Sequence, residues 1–297
     1  MGGEARRVVF AALRPKPFRG DVVAAGVVVL TTLVVCCATR LSGAWPAETH
    51  LIYATVAWAF VTSMAALAPL EGEHPRAYQS ILYVASVALW LTALIELARV
   101  AGAGELGVRA STVAWIAAVT ALGALAFAIG RNSAVCTLIG ALAGGVAVLA
   151  AVQWLGTPDD AAPFRWALVA LMVVYGIFAV GQRDRRLRHG VALIDAAGLA
   201  VLSIAATFLA EGTIFGFLED SAPSAGWGWE LLILASGFGL IAYSSVDRQP
   251  GPAYLGVLAL GSFALLDSGA VSGDPASFVG WPLVLAVAAA APAAVGQ

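Results

Sequence analysis

The chain has 297 residues, of which 61% are apolar and only 11% charged, and its mean hydropathy is +0.89. A water-soluble globular protein needs far more polar surface than that, so a soluble fold is excluded. The formal net charge of −2 conceals a marked asymmetry along the chain, and no nucleic-acid partner is expected.

The first twenty residues carry Arg6, Arg7, Arg14, Lys16 and Arg19 among Val8, Val9, Phe10, Leu13 and Phe18. This composition predicts a basic interfacial segment over 1–21, lying on an anionic membrane surface. Pro15 and Pro17 break it before Asp21 caps the first apolar run. Arg6-Arg7 loosely mimics a twin-arginine signal, but no small-residue cleavage site follows, so the first run reads as a retained span.

A bilayer span needs about 20 mostly apolar residues. On that measure spans fall near 22–39, 51–70, 78–98, 112–130, 134–155, 166–181, 190–210, 229–246, 253–266 and 279–295. The runs lack the dyad alternation of strands. The expected fold is an all-α integral membrane protein: a polytopic bundle of about ten transmembrane helices, forming a single domain over 22–295. The outer loop 211–228, with the apolar patch Ile214 to Leu218, is expected to fold back onto the interface.

Basic residues set the orientation. With both termini cytoplasmic, the inner side holds Arg6, Arg7, Arg14, Lys16, Arg19, Arg76, Arg131, Arg183, Arg185, Arg186, Arg188 and Arg248. The outer side holds only Arg40, Arg99, Arg109 and Arg165, with acids such as Asp159, Asp160, Glu219 and Asp220. Trp45, Trp115, Trp154, Trp166, Trp227, Trp229 and Trp281 gather near the outer boundary, as amphipathic rings do at head-group level. Arginine stands at every basic position but Lys16, and Ala, Val, Leu and Gly dominate, which is the usage of a GC-rich bacterial genome. The expected location is the bacterial cytoplasmic (inner) membrane.

Ten spans in this length also match the plan of drug/metabolite-type carriers, two five-helix halves of opposite orientation. Such an inverted repeat should interrupt corresponding helices alike. Here the eighth span carries Ser236-Gly237-Phe238-Gly239, whereas the third, its counterpart, has no glycine. The turns at Phe127 to Arg131, Phe178 to Arg183 and Tyr243 to Arg248 read alike instead, as tandem hairpins in one orientation would. Gly140-x-x-x-Gly144 and the Ala-rich faces allow close helix packing.

Two ionisable residues lie well inside spans, Glu96 in the third and Asp195 in the seventh, and a charge there costs about 2.5–3.5 kcal/mol on insertion scales. Both are candidate substrate-binding or coupling residues, together with Ser236, Gly237 and Gly239, where the eighth span has the composition to unwind. Glu96 also stands three residues before Arg99, the spacing of a local ion pair on one helix face. His50, His74 and His189 are isolated at loop or span edges, so no metal or cofactor is expected. The cysteines Cys36, Cys37 and Cys136 read as buried apolar thiols. No nucleophile–base or nucleotide-binding pattern appears, so there is little ground for an enzyme.

The expected function is a permease for a small apolar or lipid-like molecule, since no strongly polar midplane site is visible. The alternative is a non-catalytic subunit or scaffold of a larger membrane assembly. Expected partners are the lipid bilayer and either further copies of the chain or other membrane subunits.

Overall fold

Within a bilayer, a chain can satisfy its backbone N–H and C=O groups only against itself, and each apolar run is therefore expected to coil. The computed structural model, which describes residues 20–41, 43–72, 75–103, 109–210 and 225–267, shows nine helices and no strand among them. They are α1 (Gly20–Arg40), α2 (Ala47–Leu67), α3 (Ala77–Val100), α4 (Ala110–Arg131), α5 (Ala134–Gly156), α6 (Ala162–Arg183), α7 (Leu187–Ala210), α8 (Trp227–Asp247) and α9 (Pro250–Asp267). The first eight are long and apolar enough to cross a membrane, and α9 is a shorter apolar helix. Residues 1–19, most of the loop 211–228 and the expected tenth span at 279–295 lie outside the described residues.

Helix ends follow from turn chemistry and differ from the expected spans by a few residues. The sixth is longer than expected, with Pro163 in its first turn, and the ninth begins on Pro250; proline's fixed φ suits both places. α2 stops at Leu67, short of the expected residue 70, because Ala68 precedes Pro69 and is extended (φ −62°, ψ 150°). α4 ends on Asn132 in the left-handed region (φ 57°), and α5 begins two residues later. Asparagine tolerates that conformation well; Thr157 (φ 39°) and Arg248 (φ 54°) adopt it at greater cost.

The chain divides into two compact units, Met1–Thr157 and Pro158–Gln297. In the first, α3 is the axis. Thirteen of its 24 residues are buried, so it meets neighbours on nearly every side: α1, α2 and α4. Its aromatic residues set much of this packing. Tyr83 lies 5.4 Å from Phe127 of α4, and Trp90 lies 4.6 Å from Trp58 of α2, ring centre to ring centre. α4 and α5 form a tight antiparallel pair, in which Gly140 accepts Leu125 at a distance a methyl group would narrow to 3.1 Å. Gly144, its partner in the expected motif, has nothing within 4 Å and plays no part.

A polar knot closes one end of this unit. The loop residue Glu71 is 3% exposed, and its Oε1 accepts hydrogen bonds from Ser80 (3.3 Å) and Ser133 (3.1 Å). Its backbone N–H donates to Arg131 O, and Asn132 Nδ2 donates to Glu71 O. The α2–α3 connection is thereby tied to the α4–α5 turn.

In the second unit α7 is the most buried helix, facing its neighbours with Ala196, Val201, Ile204 and Phe208. It pairs with α6 and also packs along α9. Arg183 at the end of α6 donates to Asp247 at the end of α8 over 2.6 Å.

One packing order occurs twice. In the first unit α3 lies along both α1 and α2, which touch each other little; in the second, α9 stands in the same relation to α7 and α8. The helices joined by short turns after α2, α4, α6 and α8 are also closely paired. Each of these pairs is a hairpin of consecutive helices.

Candidate functional site

α2 begins after Pro46, whose backbone (φ −62°, ψ 148°) turns the chain into the helix and leaves Trp45 just outside it. His50 and Tyr53 follow three residues apart and so share one helix face. Glu96 and Arg99 stand near the end of the antiparallel α3, bringing the four side chains to the same end of the first unit. His50 and Glu96 are each 1% exposed.

Glu96 Oε1 accepts a hydrogen bond from Arg99 Nη1 at 3.1 Å, so the local pair expected from the sequence is present. The other oxygen is different. Glu96 Oε2 lies 3.9 Å from His50 Nδ1, too far for a hydrogen bond, and has no partner. His50 Nε2 and Tyr53 Oη are likewise buried without a partner. Around them the rings of Trp45, His50 and Tyr53 lie 5.5–6.3 Å apart, with Trp45 46% exposed at the edge. Buried polar atoms are nearly always satisfied in folded proteins, so three unpaired ones on adjoining side chains mark a site.

The chemistry follows from the donors and acceptors. A proton on Nδ1, facing the carboxylate, leaves His50 Nε2 as an acceptor, and Tyr53 Oη is free to donate or accept. The Arg99 guanidinium compensates the Glu96 carboxylate, so the group carries no net charge while His50 is neutral.

Glu96 lies in the first unit and Asp195 in the second. The Asp195 carboxylate is set against the first turn of α9, where a methyl group on Gly251 would stand 3.0 Å from both oxygens. The positive end of the helix dipole suits a carboxylate, but Pro250 and Pro252 withhold two N–H donors, and Oδ1 has no partner.

The expected unwinding at Ser236, Gly237 and Gly239 is not seen. α8 is continuous from Trp227 to Asp247. Gly237 instead gives close approach to α9. A methyl group there would stand 2.9 Å from Leu260, and one on the facing Gly256 would stand 2.7 Å from the Gly237 carbonyl oxygen. Ser236 Oγ points to Met172 Sδ at 3.9 Å, and Gly239 has open space beside it. Arg6, Arg7, Arg14, Lys16 and Arg19 lie outside the described residues.

Sequence reading did not find His50, Tyr53 and Trp45 as a group. His50 read as an isolated edge residue and Trp45 as part of an interfacial belt. The available signal was the three-residue spacing of two polar rings, beginning four residues after Trp45-Pro46. Of the cysteines, Cys136 is buried as expected, whereas Cys36 is exposed on the helix surface.

A second aromatic group in the other unit is satisfied. Arg165 Nε donates to Thr207 Oγ1 at 2.9 Å, its guanidinium lies 3.6 Å above the Phe208 ring, and Trp229 packs beside Trp166 and Phe208. Among the described residues, no three His, Cys, Asp or Glu residues are placed to hold a metal ion.

The fold is that of a multi-pass helical membrane protein. No family model, curated protein or solved structure matches the chain.

Proposed function

We propose that this membrane protein is a permease for a small apolar or lipid-like molecule, with both termini on the cytoplasmic side of a bacterial inner membrane. The observation that carries the reading is a groove of about 310 Å³ between α1 and α3, lined by apolar side chains such as Val28, Val84 and Ala88 and by the hydroxyl residues Thr31, Thr32 and Ser80. That size is at the lower end of the roughly 300–1,000 Å³ typical of ligand sites. The Thr31 hydroxyl is already committed to Val27 O, so that part of the wall offers hydrocarbon contact alone.

The test is flux. Purified protein in vesicles should raise the rate at which a fluorescent single-chain amphiphile crosses the bilayer, and Ala88→Trp, which fills the groove, should lower it. A rate equal to that of protein-free vesicles refutes the permease. A second reading, a non-catalytic subunit or scaffold, is supported by α6, where Leu168 and Ala179 are the only buried residues and Val173, Val174, Ile177 and Phe178 face outwards. Stoichiometric co-extraction of other membrane chains would favour it. Reporter fusions after Arg131 and Arg248 test the orientation, and external signals at both would reverse it.

A further inference from the structure

Three buried polar atoms of the first unit with no hydrogen-bond partner lie on neighbouring side chains: His50 Nε2, Tyr53 Oη and Glu96 Oε2. They belong to neighbouring side chains at one end of α2 and α3, beside an exposed Trp45. Burial keeps these atoms from solvent, and a fold that needed only packing would be better served by apolar residues here.

We propose that this cluster is the head-group site for a neutral amphiphile carrying a hydroxylated aromatic ring, of the phenol or hydroquinone class. The polar complement matches: a ring hydroxyl donates to His50 Nε2 or Glu96 Oε2 and accepts from Tyr53 Oη. The charge matches as well. Glu96 is already compensated by Arg99 at 3.1 Å, so a cation finds the carboxylate taken and an anion is repelled by its free oxygen. The surroundings are aromatic: the Trp45, His50 and Tyr53 rings pack on one another at 5.5–6.3 Å, and a further ring joins them once Trp45, the exposed member, moves. Trp45 lies outside α2 in the preceding turn, so its side chain can swing aside without unwinding a helix. The hydrocarbon tail then extends along the bundle into lipid.

This assignment rests on the permease reading only in taking the ligand as lipid-like. It is tested by binding to the purified full chain in detergent, using decylhydroquinone under reducing conditions and its dimethyl ether. The ether keeps the ring and tail but has no hydroxyl hydrogen to donate. Wild type should bind the hydroquinone at least tenfold more tightly than the ether. His50→Phe, which keeps an aromatic ring, should weaken hydroquinone binding at least tenfold and leave ether binding unchanged, whereas Tyr53→Phe, which removes the donor to the ring oxygen, should weaken hydroquinone binding at least tenfold and ether binding as well. Tyr53→Phe should unfold at the same temperature as wild type or higher, since it removes an unpaired hydroxyl. Equal affinity for the two probes, or wild-type affinity in both variants, overturns the assignment and makes the cluster at most a seat for ordered water. Binding that persists while vesicle flux is absent refutes the permease alone. Flux without hydroquinone preference refutes the head-group site alone.

Discussion

A methyl group added at Gly256 would stand 2.7 Å from the Gly237 carbonyl oxygen and 2.8 Å from Ile241 Cγ1. The first of these is backbone held within α8, so α8 and α9 must move apart to accept Gly256→Ala. Overpacking of this kind costs about 1–3 kcal/mol. At Gly237 the added group would meet Leu260 at 2.9 Å, a side chain free to rotate, and Gly256 O at 3.2 Å, so the cost of Gly237→Ala lies at the lower end of that range. Gly239→Ala meets nothing within 4 Å and gains helix propensity of up to about 1 kcal/mol. The assay is thermal unfolding in detergent followed by helical circular dichroism, with the vesicle flux measured on the same variants. The expected order of stability is Gly239→Ala at or above wild type, then Gly237→Ala, then Gly256→Ala. Wild-type stability in Gly256→Ala would refute the close-crossing account. Loss of flux in a stable Gly239→Ala variant would restore the unwinding role that the sequence implied for this segment.

Three further substitutions follow from the structure. Arg99→Met leaves the Glu96 carboxylate buried and uncompensated, and chemical unfolding should show a loss of about 3 kcal/mol, recovered largely by the double change with Glu96→Gln. Glu71→Ala removes the shared acceptor of Ser80 and Ser133 and should cost about 1–3 kcal/mol, read by the same unfolding, with proteolysis in the α4–α5 turn rising in step. Thr157→Gly relieves a β-branched residue of a left-handed backbone and should stabilise by about 1 kcal/mol, detected as a raised unfolding temperature.

Much of the helical layout was legible in the sequence because it is local. Each apolar run in lipid has one way to satisfy its backbone, and each interruption by Pro, Asn or charge marks an end. That reasoning located all nine described helices to within a few residues, and the Glu96–Arg99 pair, which lies on a single helix, was equally visible. Pairings between helices were much less legible. In a soluble helix an apolar stripe shows which face is buried, but these spans are apolar all round and a lipid-facing valine looks like a packed one. Val27 is buried and Val28 exposed in the same run of valines, decided only by where α3 and α2 lie. The same limit hid His50. Its chemistry depends on Glu96, forty-six positions away, and only the antiparallel packing of α2 on α3 brings the two side chains to 3.9 Å. Nothing in the sequence marked Glu71, which the fold sets under the α4–α5 turn, and Gly237 read as a weak point until α9 was seen to press against it. The sequence by itself determined that the chain coils repeatedly and where each helix stops, since those choices are made against the bilayer. The tertiary structure decided which polar atoms meet and which are left unpaired, since those choices are made between helices whose faces carry almost no mark of their neighbours.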